Sequence, residues 1–255
     1  PAERPDAVVT SDYLDLAALR GLRPDWTAGL PCVAYFHENQ LTYPLPDEAE
    51  RDYQFGFTNI TSCLAATRVV WNSSYNMESF LASIPVLFSK MPDQRPKRVD
   101  ERIRRRSVVL APGVDLQAIE DAPLERDGDP PIVVWNHRWE HDKNPGEFFA
   151  ALEDVAARGV DFRVAVLGES FEEQPPVFDE ARKSLGERIV QFGYAYSRDE
   201  YIRWLRRSSV SVSTAIQEYF GISAVAYFFI GYYIAYGSHF MSGAAQRHLR
   251  SGTER

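Results

Sequence analysis

Short apolar runs rich in β-branched and aromatic residues alternate with helical patterns along almost the whole chain, and that alternation constrains the fold more than anything else. The runs are DAVVTSD (Asp6–Asp12), PCVAYFH (Pro31–His37), RVVWNS (Arg68–Ser73), SVVLAPGVD (Ser107–Asp115), PIVVWNH (Pro131–His137), FRVAVLG (Phe162–Gly168), RIVQFGY (Arg188–Tyr194) and SVSVSTA (Ser209–Ala215). Helical patterns fall between them, from about Tyr13 and over Phe57–Thr67, Ser74–Phe88, Pro145–Arg158, Phe178–Leu185 and Ser197–Arg207. Ser197 followed by Glu200 forms a capping-box signature. A run such as PCVAYFH is nearly continuous in apolar character, which suits a parallel strand covered on both faces. Strand–helix alternation of this kind predicts an α/β protein with doubly wound parallel sheets.

One seam interrupts the pattern. Glu120–Pro131 reads EDAPLERDGDPP, acidic and rich in Pro and Gly, as a linker is. The expected organisation is therefore a Rossmann-like domain over residues 1–119, a linker at 120–131, and a second Rossmann-like domain over 132–255. At 255 residues, 45% hydrophobic and 25% charged, the chain is long enough for two modest cores.

In such sheets ligands bind beyond the carboxyl ends of the strands, so polar residues directly after each run are the candidates. After PIVVWNH come Asn136, Arg138 and Lys143, within WNHRWEHDKNP, with a helix opening at Pro145. Two cations at a helix N-terminus fit a diphosphate, through their charge and the unpaired N–H groups. The same residues fit a surface turn in which Glu140 and Asp142 neutralise the cations. After SVSVSTA comes QEYFGIS, where Glu218 can accept bonds from sugar hydroxyls and the backbone of Phe220, Gly221 and Ile222 can approach a ligand. A helix N-cap region with a helpful acid is the commoner origin of such a pattern. After PCVAYFH come His37, Glu38, Asn39 and Gln40. His37 is a candidate base for an acceptor hydroxyl, or a residue that only closes the strand end.

Other chemistry is excluded or unsupported. There is no P-loop, no G-x-G-x-x-G and no nucleophile elbow. His37, His137 and His141 lack metal-ligand spacing, so no metal is expected. The net charge of −8 excludes general polyanion binding. It leaves a local patch at Lys97, Arg98, Arg102, Arg104, Arg105 and Arg106, which is either a phosphate contact or a solvated face. Cys32 and Cys63 read as reduced core thiols of a cytoplasmic protein. Ala224–Phe240 is apolar and aromatic on every side. It is short for a membrane helix, so no stable membrane association is expected. It is read as a buried element of the second domain or an aberrant end.

The motifs carry a resemblance. R-x-x-x-x-K after the first strand of a second domain, with E-Y-F-G further on, resembles the retaining GT-B glycosyltransferases of family 4. HENQLTYP (His37–Pro44), WNHRWEHDKNP and QEYFGIS resemble the tRNA-queuosine mannosyltransferase group more narrowly, over about residues 6–225. The resemblance implies two Rossmann-like domains facing a cleft and retaining transfer of mannose from GDP-mannose to queuosine in a tRNA, without cofactor or metal. It implies that Arg138 and Lys143, with Asn136 beside them, hold the donor diphosphate. Glu218 and the N–H groups of Phe220, Gly221 and Ile222 would meet the donor, and His37, Glu38, Asn39 and Gln40 would lie on the acceptor side. The basic run would be a tRNA contact. The pattern departs where the family's second Glu is Ala226, and after Val225 the strand–helix alternation is expected to be lost. The chain thus resembles a member incomplete at both ends. Another nucleotide sugar and acceptor, or a non-catalytic remnant binding nucleotide or RNA, are the alternatives.

Overall fold

The computed structural model describes residues 5–45, 50–115, 117–123, 130–169, 175–221, 225 and 233–236. These fall into two compact units that divide between Pro112 and Gly113.

The first unit is built on four parallel strands, β1 (Val8–Ser11), β2 (Cys32–Phe36), β3 (Arg68–Trp71) and β4 (Ser107–Val109), in the order β1-β2-β3-β4. The intervening helices are α1 (Leu16–Leu22), α2 (Pro24–Thr27), α3 (Tyr53–Ala65), α4 (Ser74–Ser89) and α5 (Val99–Arg104). Their starts have local causes. Asp15 accepts the N–H of Ala18 at the head of α1, and Ser73 accepts that of Asn76 at the head of α4, each satisfying a donor that the helix itself leaves open. Leu16, Phe36, Ile60, Cys63, Trp71, Phe80 and Ile84 form one core. Both cysteines are buried free thiols, and burial pushes the Cys63 thiol well above its ordinary range.

The second unit carries five parallel strands, β5 (Ile132–Asn136), β6 (Arg163–Leu167), β7 (Ile189–Gly193), β8 (Val210–Ser213) and β9 (Tyr233–Tyr236), ordered β7-β6-β5-β8-β9. Its helices are α6 (Gln117–Glu120), α7 (Pro145–Ala157), α8 (Val177–Leu185) and α9 (Arg198–Arg207). Alternate residues of each central strand enter different cores. Trp135, Val164 and Val166 join Phe148, Phe149 and Phe178 on one face, while Ile132, Val134, Ala165 and Leu167 join Ile119, Ile202 and Leu205 on the other. A sheet covered on both faces is why these runs read as unbroken apolar stretches. The chain moves outward from β5 to β7 and then returns to β8 on β5's other side. The switch point of the sheet therefore lies between β5 and β8, where open α/β sheets bind ligands.

Several expectations are revised. SVSVSTA is not the last strand: Tyr233–Tyr236 pairs in parallel with β8, in register Val210 to Tyr233 through Ser213 to Tyr236. Part of the apolar stretch thus extends the sheet; the other residues after Val225 lie outside the described residues. The uniform apolar character of the stretch hid the strand boundaries. The units divide ahead of the expected 120–131 linker, because α6 contributes Ile119 to a core of the second unit. Among the described residues, no helix is long and apolar enough to cross a membrane. The Ser197 cap is present, with Ser197 Oγ accepting the N–H of Glu200 at 3.1 Å. The Glu200 carboxylate reaches back to the N–H of Tyr196 rather than to that of Ser197.

Candidate functional site

The switch point brings together two segments far apart in sequence. Trp135 Nε1 donates to Thr214 Oγ1 at 3.1 Å, and that hydroxyl donates to the Lys143 carbonyl at 2.9 Å. The Ile216 N–H donates to the Asp142 carbonyl at 2.8 Å. These bonds fasten the loop after β5 to the segment after β8. The loop is not a solvated turn, because Trp135 and Trp139 are buried and Trp139 stacks on Phe178.

At the centre is Lys143, only 7% exposed. Its Nζ lies 2.8 Å from Asp142 Oδ2 and 2.9 Å from Glu218 Oε1. Burial pulls the Lys143 pKa down, but the flanking Glu218 and Asp142 outweigh it and hold the group above its ordinary value. It is therefore charged at neutral pH. His137 Nδ1 stands 3.6 Å from the same Glu218 oxygen, a distance at which a charged imidazole would count as an ion pair. Burial, reinforced by the charge of Lys143, lowers the His137 pKa to about 3, so the ring is neutral and the contact is not an ion pair. Unfolded His137 would titrate at about 6.5. The unfolded chain thus binds the extra proton between about pH 3 and 6.5, and stability falls as pH falls through that window. The expected slope is about 1.4 kcal/mol per pH unit. Urea unfolding of the native chain and of His137→Gln between pH 7 and 5 measures it, and equal slopes would refute the assignment.

The other donor-side candidates divide. Arg138 has a side chain 49% exposed and sits 3.3 Å from Glu140, so the acidic neighbours do pair with both cations. Asn136 Nδ2 donates to Tyr201 Oη at 2.7 Å, tying the end of β5 to α9. Gly221 is buried at φ +73, a conformation that favours glycine, and Phe220 is half-buried beside it. Ile222 and Ala226 lie outside the described residues. Among the described residues no three His, Cys, Asp or Glu side chains are grouped to hold a metal ion.

In the first unit the segment after β2 rests on buried amides. Asn39 is fully buried, its Nδ2 donating to Asn76 Oδ1 and its Oδ1 accepting from the N–H groups of Leu41 and Thr42. It builds the loop and offers no free surface to an acceptor. Glu38 Oε1 accepts from Tyr13 Oη and Gln40 Nε2, each at 3.0 Å. His37 is exposed and faces Asp12, a residue read from sequence only as a strand end. The basic run is largely engaged in the fold. Arg98 and Arg105 pair with Glu101, Arg104 binds both oxygens of Glu78, and Arg106 donates to the Leu64 and Ala66 carbonyls at the end of α3.

Residues 1–114 match the family profile described as tRNA-queuosine alpha-mannosyltransferase N-terminal. The chain is also 38% identical over 231 residues to the tRNA-queuosine alpha-mannosyltransferase of Drosophila melanogaster, an alignment covering 88% of this chain. This chain is a relative of the tRNA-queuosine alpha-mannosyltransferases. It spans 61% of the length of that fly protein. Solved structures agree on the fold, which is of the GT-B type with Rossmann-like units. Sucrose-phosphate synthase from Thermosynechococcus elongatus superposes with a TM-score of 0.64 at 16% identity, over 92% of this chain and 56% of its own. HepE from Anabaena, in complex with UDP, gives 0.63 at 13% identity over 94% and 61%.

Proposed function

We propose that this chain forms part of a glycosyltransferase that moves mannose from GDP-mannose to queuosine in a tRNA, with retention at the anomeric carbon and in the cytoplasm. The fly relative's name and the matching N-terminal profile support the substrate reading. The observation that carries the site is the 2.9 Å pairing of Lys143 with Glu218 at the switch point of the second sheet.

The chemistry follows from charge. Breaking the sugar–phosphate bond leaves a negative diphosphate on GDP, and a cation held in a site of low water content stabilises that charge as it develops. Lys143 is pre-positioned for this, and Arg138 supplies a second, half-exposed charge beside Glu140. The Lys143–Glu218 pair also links the two donor contacts, so a carboxylate that meets sugar hydroxyls and an ammonium that meets phosphate are fixed relative to one another. The backbone at Phe220, Gly221 and Ile222 would support the donor. His37 would stand on the acceptor side with Glu38 and Gln40, over the loop that Asn39 holds. This chemistry needs neither metal nor cofactor.

The test is incubation of the full-length protein with GDP-mannose and queuosine-containing tRNA, followed by boronate gel electrophoresis. A changed migration with GDP-mannose, absent with other nucleotide sugars and with tRNA lacking queuosine, is expected. An unchanged gel would refute the substrate assignment. A donor that binds the folded protein at about 100 times its dissociation constant should add about 2.7 kcal/mol of stability, which a thermal-shift screen across nucleotide sugars reads independently of the acceptor.

A further inference from the structure

Lys143 is held by more acid than its charge requires. Its Nζ lies 2.9 Å from Glu218 Oε1, and that carboxylate alone would neutralise it. Asp142 Oδ2 adds a second carboxylate at 2.8 Å, on a side chain only 5% exposed. Lys143 contributes one positive charge, Asp142 and Glu218 one negative charge each, and the neutral ring of His137 none. The buried cluster therefore carries a net charge of −1, in a place proposed to meet an anion. Arg138 does not redress the balance, because Glu140 stands 3.3 Å from it.

The two acids differ in their settings. Glu218 keeps 18% of its side chain open, so a ligand can meet it. Asp142 is fixed from both sides. Its carbonyl accepts the Ile216 N–H at 2.8 Å, and the next carbonyl, that of Lys143, accepts the Thr214 hydroxyl at 2.9 Å. Its second carboxylate oxygen, Oδ1, is buried with no hydrogen-bond partner among the described residues. A bare buried acceptor lowers stability, so the fold gains nothing from a charge where the isosteric Asn would fit.

An acid fixed against the gripping cation weakens the site for anions, and weakens it most for the anion of highest charge. Donor and product differ in that respect. As the sugar–phosphate bond breaks, its electron pair stays on the β-phosphate oxygen, and GDP at pH 8 carries one negative charge more than GDP-mannose. Unopposed cations would hold the product more tightly than the substrate. We infer that Asp142 is a specificity-determining residue that acts through Lys143, holding down the affinity for GDP relative to GDP-mannose and so favouring product release. The inference rests on the proposed reading of Lys143 as the diphosphate contact.

Isothermal titration of the full-length protein with GDP and with GDP-mannose at pH 8 tests it. Asp142→Asn should tighten GDP by about 30-fold and GDP-mannose by about tenfold, in proportion to their charges. Its melting temperature should not fall, because Lys143 and Glu218 remain as a neutral pair. A residue serving the fold alone would give the reverse, a less stable protein with weaker or unchanged binding. Glu140→Gln removes a negative charge from the same loop at a partly exposed pair, and should move both affinities by less than about twofold. Weaker or unchanged GDP binding in Asp142→Asn, an equal gain for both ligands, or an equal effect of Glu140→Gln overturns the inference and leaves the diphosphate contact standing. Should Asp142→Asn fail to fold, Asp142→Ala carries the same comparison. The contact itself is tested by Lys143→Met with Asp142→Asn and Glu218→Gln, which should bind GDP at least about tenfold more weakly than the native protein. If that variant binds GDP as tightly as the native protein, the diphosphate reading is refuted and the role of Asp142 falls with it.

Discussion

Replacing Lys143 with alanine is expected to destabilise the protein by about 3–5 kcal/mol, the usual cost of removing one partner from a buried ion pair. The cause is what remains, more than what is lost. Asp142 and Glu218 would face each other's charge in a largely buried site, with no lysine between them. Substituting the acids together with the lysine should therefore recover stability: Lys143→Met with Asp142→Asn and Glu218→Gln should unfold later in urea than Lys143→Ala alone. If the single and triple variants are equally unstable, the loss belongs to packing and the charge argument fails. The same change should relax His137. Burial is the larger cause of its low pKa, but Lys143 is the second, so the pH window over which His137 costs stability should narrow at its acid end in Lys143→Ala. Arg138→Ala is the contrast. Its side chain is half exposed, so stability should stay within about 0.5 kcal/mol, while transfer falls by about 2.7–4 kcal/mol of transition-state stabilisation if it grips the diphosphate. A stable Arg138→Ala variant with full transfer activity would remove Arg138 from the site.

How much of this was legible in the sequence depends on whether the cause is local. Strand runs and helix caps are local, so β2, β5, β6 and α9 fall close to where their residues alone place them. The segments that follow β5 and β8 meet in the folded chain. Their meeting at a switch point was not legible, because it depends on the order of strands in the sheet. Nor was the division of labour between two cations that look alike in sequence. The chain buries Lys143 between two acids and leaves Arg138 at the surface. Asn39 looked like part of a polar acceptor patch, yet a polar residue directly after a strand can equally be a buried bracket, and Asn76 and the Leu41 and Thr42 amides make it one. Asp12 was missed because its partner is reached across two neighbouring strands. The basic run misled in the opposite way. Most of its cations find carboxylates or carbonyls on α3, α4 and α5, which no count of charge along the chain reveals.

Gly168→Ala should be the most damaging single methyl in the second unit, with a loss of about 4 kcal/mol or more, since such values arise from strain that packing cannot relieve. Two causes coincide. Gly168 sits at φ +116, a region that residues with a Cβ avoid, and a Cβ there would come within 2.0 Å of the His137 carbonyl oxygen. That oxygen is backbone, so it cannot swing aside as a side chain would. To admit the methyl, the end of β5 or the end of β6 must move. Both are constrained: the His137 N–H reaches the Leu167 carbonyl at 3.4 Å, and the Trp139 N–H reaches that of Glu169 at 2.9 Å. The displacement would pass into the loop that presents Lys143, so donor binding should fall along with stability. Gly186→Ala is the control, because its Cβ would meet nothing within 4 Å although its φ is also positive at +50. Its cost should be the conformational one alone, about 1–3 kcal/mol. Urea unfolding of the two variants separates the terms, with the excess in Gly168→Ala measuring the clash against His137. Equal losses would show that β5 and β6 yield freely, and that the close approach at Gly168 does not hold the loop in place.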